Sequence, residues 1–179
     1  FYLFYQYQKK NVVTCAAVKI NASGAAVGND LIVDSSIINT NAATETYHVV
    51  ESSSKQKILV YKILIDSANN YIFSFYLLNS QLNLLNKFAL VIPIKNQDIF
   101  FSDLIINDDG DIAFVKAVRD TVNNKLSYPF LFTKTISQPS FSIFNIDSTK
   151  TFLGNIILKA DEVNNRIAIA GLYSNNETK

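Results

Sequence analysis

Asp108, Asp109 and Asp111 crowd carboxylates around Gly110, and clustered oxygens are what a hard cation such as Ca²⁺ takes. The spacing of a calcium loop fails at both ends. With Gly110 as the loop glycine, Ile105 stands where the first Asp belongs and Lys116 where the terminal Glu belongs. The run reads instead as a hairpin turn of type I′ or a relative, because Asp and Gly supply the positive φ angles such turns need. His48 is the single histidine, a residue type able to serve as general base or metal ligand. Its neighbours Tyr47, Val49 and Val50 predict a partly exposed strand position. Cys15, the single cysteine, lies among Val12, Val13, Ala16 and Ala17, which predicts burial rather than a reactive thiol. One cysteine excludes an internal disulfide and any zinc site built from two or more cysteines.

Other chemistries find less. There is no G-x-S-x-G for serine hydrolysis, and the five glycines form no phosphate loop. Asp66, Asp103, Asp147 and Asp161 recur near strand ends. A carboxylate pair for glycoside cleavage can come from such distant loops, although polar turns put aspartates there anyway. The expectation is a protein without catalytic, cofactor-binding or metal-ligating residues and without a cofactor. Tyr2, Phe4, Tyr5 and Tyr7 form an aromatic cluster. Strand alternation puts Tyr5 and Tyr7 on one face with Phe1 and Leu3, and Tyr2 and Phe4 on the other. Core packing is the plainer role, a recognition surface the alternative.

The elements that carry these residues are strands. The chain has 179 residues, and 49% of them are hydrophobic, enough for a core and consistent with a single domain over 1–179. Charged residues are 17%, and 16 Lys plus Arg nearly balance 15 Asp plus Glu. That balance argues against a nucleic-acid binder relying on a strong basic field. No apolar run approaches the roughly 20 residues of a membrane-spanning helix. Helical periodicity is absent, and Asp111 to Asp120, the best helical window, is rich in β-formers. Ile58–Ile65 and Tyr71–Leu77 are apolar on both faces, which suits strands buried between two other sheets. Ile63, Ile65, Ile72, Phe73, Phe75, Ile105, Phe114, Ile157 and Ile169 are therefore expected to be mostly buried. Hairpins are expected at Ser67–Asn70, Asp108–Asp111 and Asn164–Asn165.

A repeat narrows the fold class. Asp66–Asn70 before Tyr71–Phe75 has the same form as Asn107–Asp111 before Ile112–Val115, 41 residues on. Asp161–Asn165 before Arg166–Ala170 reads as a third copy, and Lys9–Asn11 before Val12–Cys15 as a fourth. Multi-strand repeats of this length predict an all-β fold of β-propeller type, with three to four blades visible in a larger ring. A sandwich or another repetitive all-β fold is the alternative. The chain starts at Phe1, contains no Met, and enters turn-like residues at its far end, so both ends read as cut from something longer. An open blade edge and bare inter-blade faces would then be covered by missing residues of the ring and by another protein.

Several segments resemble a known family. Ser54–Tyr61, Tyr71–Phe75 and Leu82–Lys87 resemble a recurrent blade of exported β-propeller-like repeat proteins of the Bacteroidetes cell envelope. Asn86 stands where an aromatic is usual. Phe101–Lys116 resembles the unit that follows, Ala168–Ser174 its ending, and Lys19–Gly24 the turn of the unit before. The resemblance implies an exported, periplasmic or outer-membrane-associated propeller that works by binding, not catalysis. Its implied partner is an envelope protein, such as an outer-membrane channel or a secretion or gliding assembly. The alternatives are the propeller domain of an exported carbohydrate-acting enzyme and a sensor ectodomain. No nucleic-acid partner and no transmembrane segment are expected.

Overall fold

The computed structural model describes residues 1–37, 46–94, 98–147, 149–164 and 166–175. These residues form strands, turns and connections, with no helix among them. Fourteen strands make three antiparallel sheets. The first sheet is β1 (Tyr2–Lys9), β2 (Val12–Ile20) and β3 (Ala26–Ile37) in that order. The middle sheet is the meander β4 (Tyr47–Glu51), β5 (Lys57–Ile65), β6 (Asn70–Asn79) and β7 (Leu84–Pro93). The third contains β8 (Ile99–Phe101), β9 (Ile105–Ile106), β10 (Ile112–Asp120), β11 (Lys125–Lys134), β12 (Ser142–Asn145), β13 (Lys150–Asp161) and β14 (Arg166–Asn175). Among the described residues no sheet closes into a barrel.

The sheets stack face to face, and the middle one is covered on both sides. Leu59, Tyr61, Phe73, Phe75 and Leu77 pack against Ile112, Phe114 and Phe132 of the third sheet. Ile58, Val60, Tyr76 and Leu78, pointing the other way, pack against Val13, Cys15 and Ala17 of the first. This is why β5 and β6 are apolar at successive positions rather than alternate ones.

The third sheet turns a corner. Tyr128 has φ +54° and Pro129 is buried at a register shift between β10 and β11. A proline has no N–H for a ladder, so it is tolerated at such an irregularity. Beyond it β11 pairs with β12, and before it only Lys125 and Leu126 pair, with Leu153 and Phe152 of β13. The β13–β14 hairpin therefore leaves the plane, and Phe152, Ile156 and Leu158 cover the outer face of β10 at Ala113, Val115 and Ala117.

Phe73, Phe75 and Phe114 are buried, and Ile63, Ile72, Ile105 and Ile169 are half-buried. Two expectations need correction: Ile65 is 61% exposed and Ile157 is 66% exposed. Ile65 ends β5 beside a turn, and Ile157 faces away from the inward pair Ile156 and Leu158. The three expected hairpins join β5 to β6, β9 to β10 and β13 to β14, although Asn165 lies outside the described residues.

The turns fall into two kinds. Asn21, Asp66, Asn79 and Asn107 each accept, on the side-chain oxygen, the N–H four residues on, at 2.7 to 2.9 Å. The residue three positions on, Gly24, Asn69, Leu82 or Gly110, has positive φ. Asp120 and Asp161 instead hold the backbone N–H and the side-chain amide of the asparagine three residues on, Asn123 and Asn164. The apparent third copy at Asp161 is thus the partner of Asp120-Thr-Val-Asn, not of Asp66.

Candidate functional site

A gathering of titratable side chains lies between the first and middle sheets. Bulges in the β2–β3 ladder at Cys15/Ala16 and Ala17/Lys19 accompany Val33 and Asp34 facing the middle sheet. Lys62 interrupts the apolar run of β5 and points the same way as Ile58 and Val60. Its ammonium donates to Asp34 Oδ2 and Ser36 Oγ. Tyr47 donates its hydroxyl to Asp34 Oδ2 at 2.7 Å and lies 3.0 Å from Ser36 Oγ. Tyr76 also bonds to Asp34. The Lys62 and Asp34 side chains are 9% and 13% exposed, so the pair is held away from bulk water. Lys62 Nζ is 5.3 Å from the Tyr47 ring centroid, and Lys87 Nζ is 4.8 Å from that of Tyr76.

The electrostatics are those of a closed network. Burial works to raise the Asp34 carboxyl, but hydrogen bonds from Lys62, Tyr76 and Tyr47, with the Lys62 charge, hold it below the usual carboxylate range. Burial first, and then Asp34, push the phenols of Tyr47 and Tyr76 upward. Burial and the Asp34 charge push the Cys15 thiol up to about 11, so it stays a thiol at neutral pH. One ionised acid, one ammonium and two neutral phenols satisfy one another. Such a set holds two sheets in register and offers no activated nucleophile. Gln6 adds to the same contact, its Oε1 accepting the N–H groups of Thr46 at 3.1 Å and Tyr47 at 3.3 Å.

Of the residues singled out above, only Cys15 sits in this network. His48 is half-buried on β4 and stacks on Tyr61 with centroids 5.0 Å apart. Tyr2 and Phe4 pack inward, while Tyr5 and Tyr7 stack on the outer face at 6.1 Å. Tyr5 also hydrogen-bonds Asp30, whose contact and charge push the phenol to about 12. Asp66 and Asp147 are consumed by their own turns, and Asp103 and Asp109 are exposed. Among the described residues no three His, Cys, Asp or Glu side chains form a metal-holding group. Asp34, Ser36, Lys62 and Tyr76 are not among the candidate residues of the sequence, and Tyr47 figures there only as a strand neighbour of His48. The signal present was Lys62, a charge inside an otherwise apolar two-faced run, which requires a buried partner.

A second arrangement links the turns. Asp108 Oδ1 accepts the Ser54 N–H at 2.9 Å and the Ser54 hydroxyl at 2.6 Å. Glu162 Oε2 accepts the Asp108 N–H at 3.0 Å. Both steps span 54 residues and run in the same direction, from one layer to the next. The carboxylate cluster around Gly110 is thus partly a layer-to-layer tie.

No family model matches the chain, and no curated protein matches it.

Proposed function

We propose that this chain is a non-enzymatic β-propeller-type binding module that docks on an outer-membrane or envelope protein complex. One observation supports the propeller most: successive layers stack face to face and are tied turn to turn in one direction, each tie spanning 54 residues. Radially repeated sheets make such same-sense contacts, whereas a two-layer sandwich makes one face-to-face contact and stops. The binding role is supported by how the polar groups are used. The buried cluster of Asp34, Lys62, Tyr47 and Tyr76 is spent on joining two sheets, and Asp66, Asp108, Asp120, Asp147 and Asp161 are spent on turns and ties. Rigid stacked sheets with connecting loops at their ends are a scaffold for recognition. Export and an envelope partner rest on the family resemblance of the blade-like segments.

Negative-stain imaging of the native full-length protein tests the ring, and chemical cross-linking in intact cells tests the docking. A closed ring and cross-links to an envelope protein are expected. A two-layer particle overturns the propeller reading, and a native chain that cross-links to nothing overturns docking.

A further inference from the structure

The two outermost faces of the stack are apolar, and both stand open among the described residues. On the first sheet Tyr2 and Phe4 point toward the middle sheet, so Leu3, Tyr5 and Tyr7 point away from it. Ile32, paired with Ala16, and Ile37, paired with Val12, share that outward face. Leu3, Tyr7, Ile32 and Ile37 are exposed, while Ala16, between Tyr5 and Ile32, is buried. At the far end of the stack, Ile156, Leu158, Ile167 and Ile169 of the β13–β14 hairpin point inward. Ile157 and Leu172 therefore point out, beside Ala168 and Ala170, and all four are exposed. Contiguous apolar faces of this kind mark contact sites.

The two faces carry opposite charge at the same end. Asp30, exposed and bonded to the Tyr5 hydroxyl, lies between the positions that pair with Ala16 and Lys19. Lys9, the cation of that face, pairs with Val12 at the other end of the ladder. On the hairpin, Lys159 and Arg166 are exposed, and Asp161 across from Arg166 is held by Asn164 in its own turn. The ends of the layers can be followed through the stack. Tyr2 and Lys19 border one cleft with Gln81 and Asn83, and Ser80 of that turn bonds Gln56 of the next turn along the middle sheet. Ser54, beside Gln56, is tied to Asp108, and Asp108 to Glu162. The Asp30 end of the first sheet and the Lys159–Arg166 end of the hairpin thus lie on one side of the stack.

We infer that a second copy of this chain covers the outer face of the first sheet with the outer face of its β13–β14 hairpin, head to tail. Continuing the stack in its own sense brings the two apolar faces together and sets Lys159 and Arg166 of one copy at the Asp30 end of the next. The occupant is a second copy because the chain itself carries the complementary face, with opposite charge at the matching end. Such charges fix partner and register more than affinity, which the apolar area supplies. The contact is heterologous, since each copy contributes a different face. It rests on the propeller-type reading for its sense, because that reading is what carries the stack past its outermost layers.

The test is light scattering of the full-length native chain over a concentration series, with the variants Leu3→Arg and Ile157→Arg. Both sites are exposed, so each variant should melt as the wild type does. The wild type should associate reversibly, and each variant alone should lose about tenfold or more in affinity. An equimolar mixture of the two should regain association, because the intact hairpin of one meets the intact first sheet of the other. Asp30→Lys should weaken association severalfold, and Lys159→Asp in the same chain should restore it. A monomeric wild type, a mixture that stays apart, or an unchanged Asp30→Lys variant would each overturn the proposal. So would association lost in Leu3→Arg and untouched in Ile157→Arg, which is the mark of two first sheets meeting like on like. Imaging separates this contact from the propeller reading. A monomer that forms a closed ring covers both faces with its own chain, which removes the second copy and keeps the propeller. A chain that passes the mixing test yet images as a two-layer particle keeps the contact and removes the propeller.

Discussion

The two faces of the middle sheet are built on different principles. Toward the third sheet it offers Phe73, Phe75 and Phe88, which meet Phe101, Phe114 and Phe141 in stacked, tilted and edge-on pairs with centroids 5.0 to 6.1 Å apart. Toward the first sheet it offers Lys62, Tyr47 and Tyr76, which close on Asp34 and Ser36 beside small side chains such as Cys15 and Ala17. The aromatic face gains from apolar area, with about 0.5–1.5 kcal/mol per ring pair beyond that area. Rings accept several arrangements at similar cost. The polar face gains less net energy, since desolvating an ion pair offsets much of its attraction. It accepts only the register that places Asp34 over Lys62, because any other leaves a charge buried and unpaired. Energy is concentrated on one face and alignment on the other.

The largest effect should come from the aromatic face. Phe114→Ala removes a side chain with no exposed surface from the centre of the ring cluster and should cost roughly 3–5 kcal/mol in chemical denaturation. Lys62→Met should cost somewhat less, about 3 kcal/mol, because it strands Asp34. If Lys62→Met proves the more damaging, the assignment of energy to the aromatic face is wrong.

Acid distinguishes the two faces further. Asp34 is held below its ordinary range, so its contribution is present above the unfolded pKa and is lost as pH falls through the lowered folded value. In Lys62→Met burial dominates and raises the Asp34 carboxyl, so acidification should relieve strain at this site. Relative to wild type, the acid limb of the stability profile should flatten or change sign. Phe114→Ala should lower stability evenly across pH, and a parallel profile for Lys62→Met would mean that Asp34 is not tied to Lys62.

The two faces were unequally legible in the sequence. Ile58–Ile65 and Tyr71–Leu77 announce strands covered on both sides, since only double coverage accounts for apolar residues at successive positions. Phe73, Phe75 and Phe114 are where that pattern puts them. Ile65 and Ile157 show its limit: composition says a run is apolar, but not how far the facing sheet extends. The polar face was nearly silent. Asp34 and Lys62 lie 28 residues apart, on strands of different sheets, and only folding brings them together. The turn repeat misled in part, because Asp66 and Asp161 look alike as letters while one holds the backbone and side-chain N–H groups of an asparagine four residues on and the other those of an asparagine three residues on.

Cys15 gives a smaller effect on the polar face. With its thiol pushed up to about 11 by burial and by Asp34, it should react with iodoacetamide at pH 8 far more slowly than in the denatured chain. Lys62→Met should speed the reaction if misalignment opens the contact between the sheets. Phe114→Ala, studied at a denaturant concentration where it stays folded, should not. Equal acceleration in both variants would mean that the two faces loosen together and are not independent.

The smallest effect belongs to the ties between turns. Asp108 is exposed enough that its loss should barely move the melting temperature, yet it accepts the Ser54 N–H and hydroxyl across two layers. Asp108→Ala should therefore show itself locally, as several-fold lower protection of the Ser54 amide in hydrogen exchange, with the β5 and β6 amides unchanged. Glu162→Ala, which removes the acceptor, should do the same at the Asp108 amide and leave Ser54 alone. The Ser54 hydroxyl first, and then its N–H, draw the Asp108 carboxyl below the usual range. Protection of Ser54, corrected for intrinsic exchange, should accordingly persist above the ordinary aspartate range and fall as pH drops through the lowered value. If Asp108→Ala instead lowers protection throughout β5, the tie carries part of the packing energy assigned to the aromatic face. If it changes nothing at Ser54, the turns do not communicate, and the one-directional stacking rests on the faces alone.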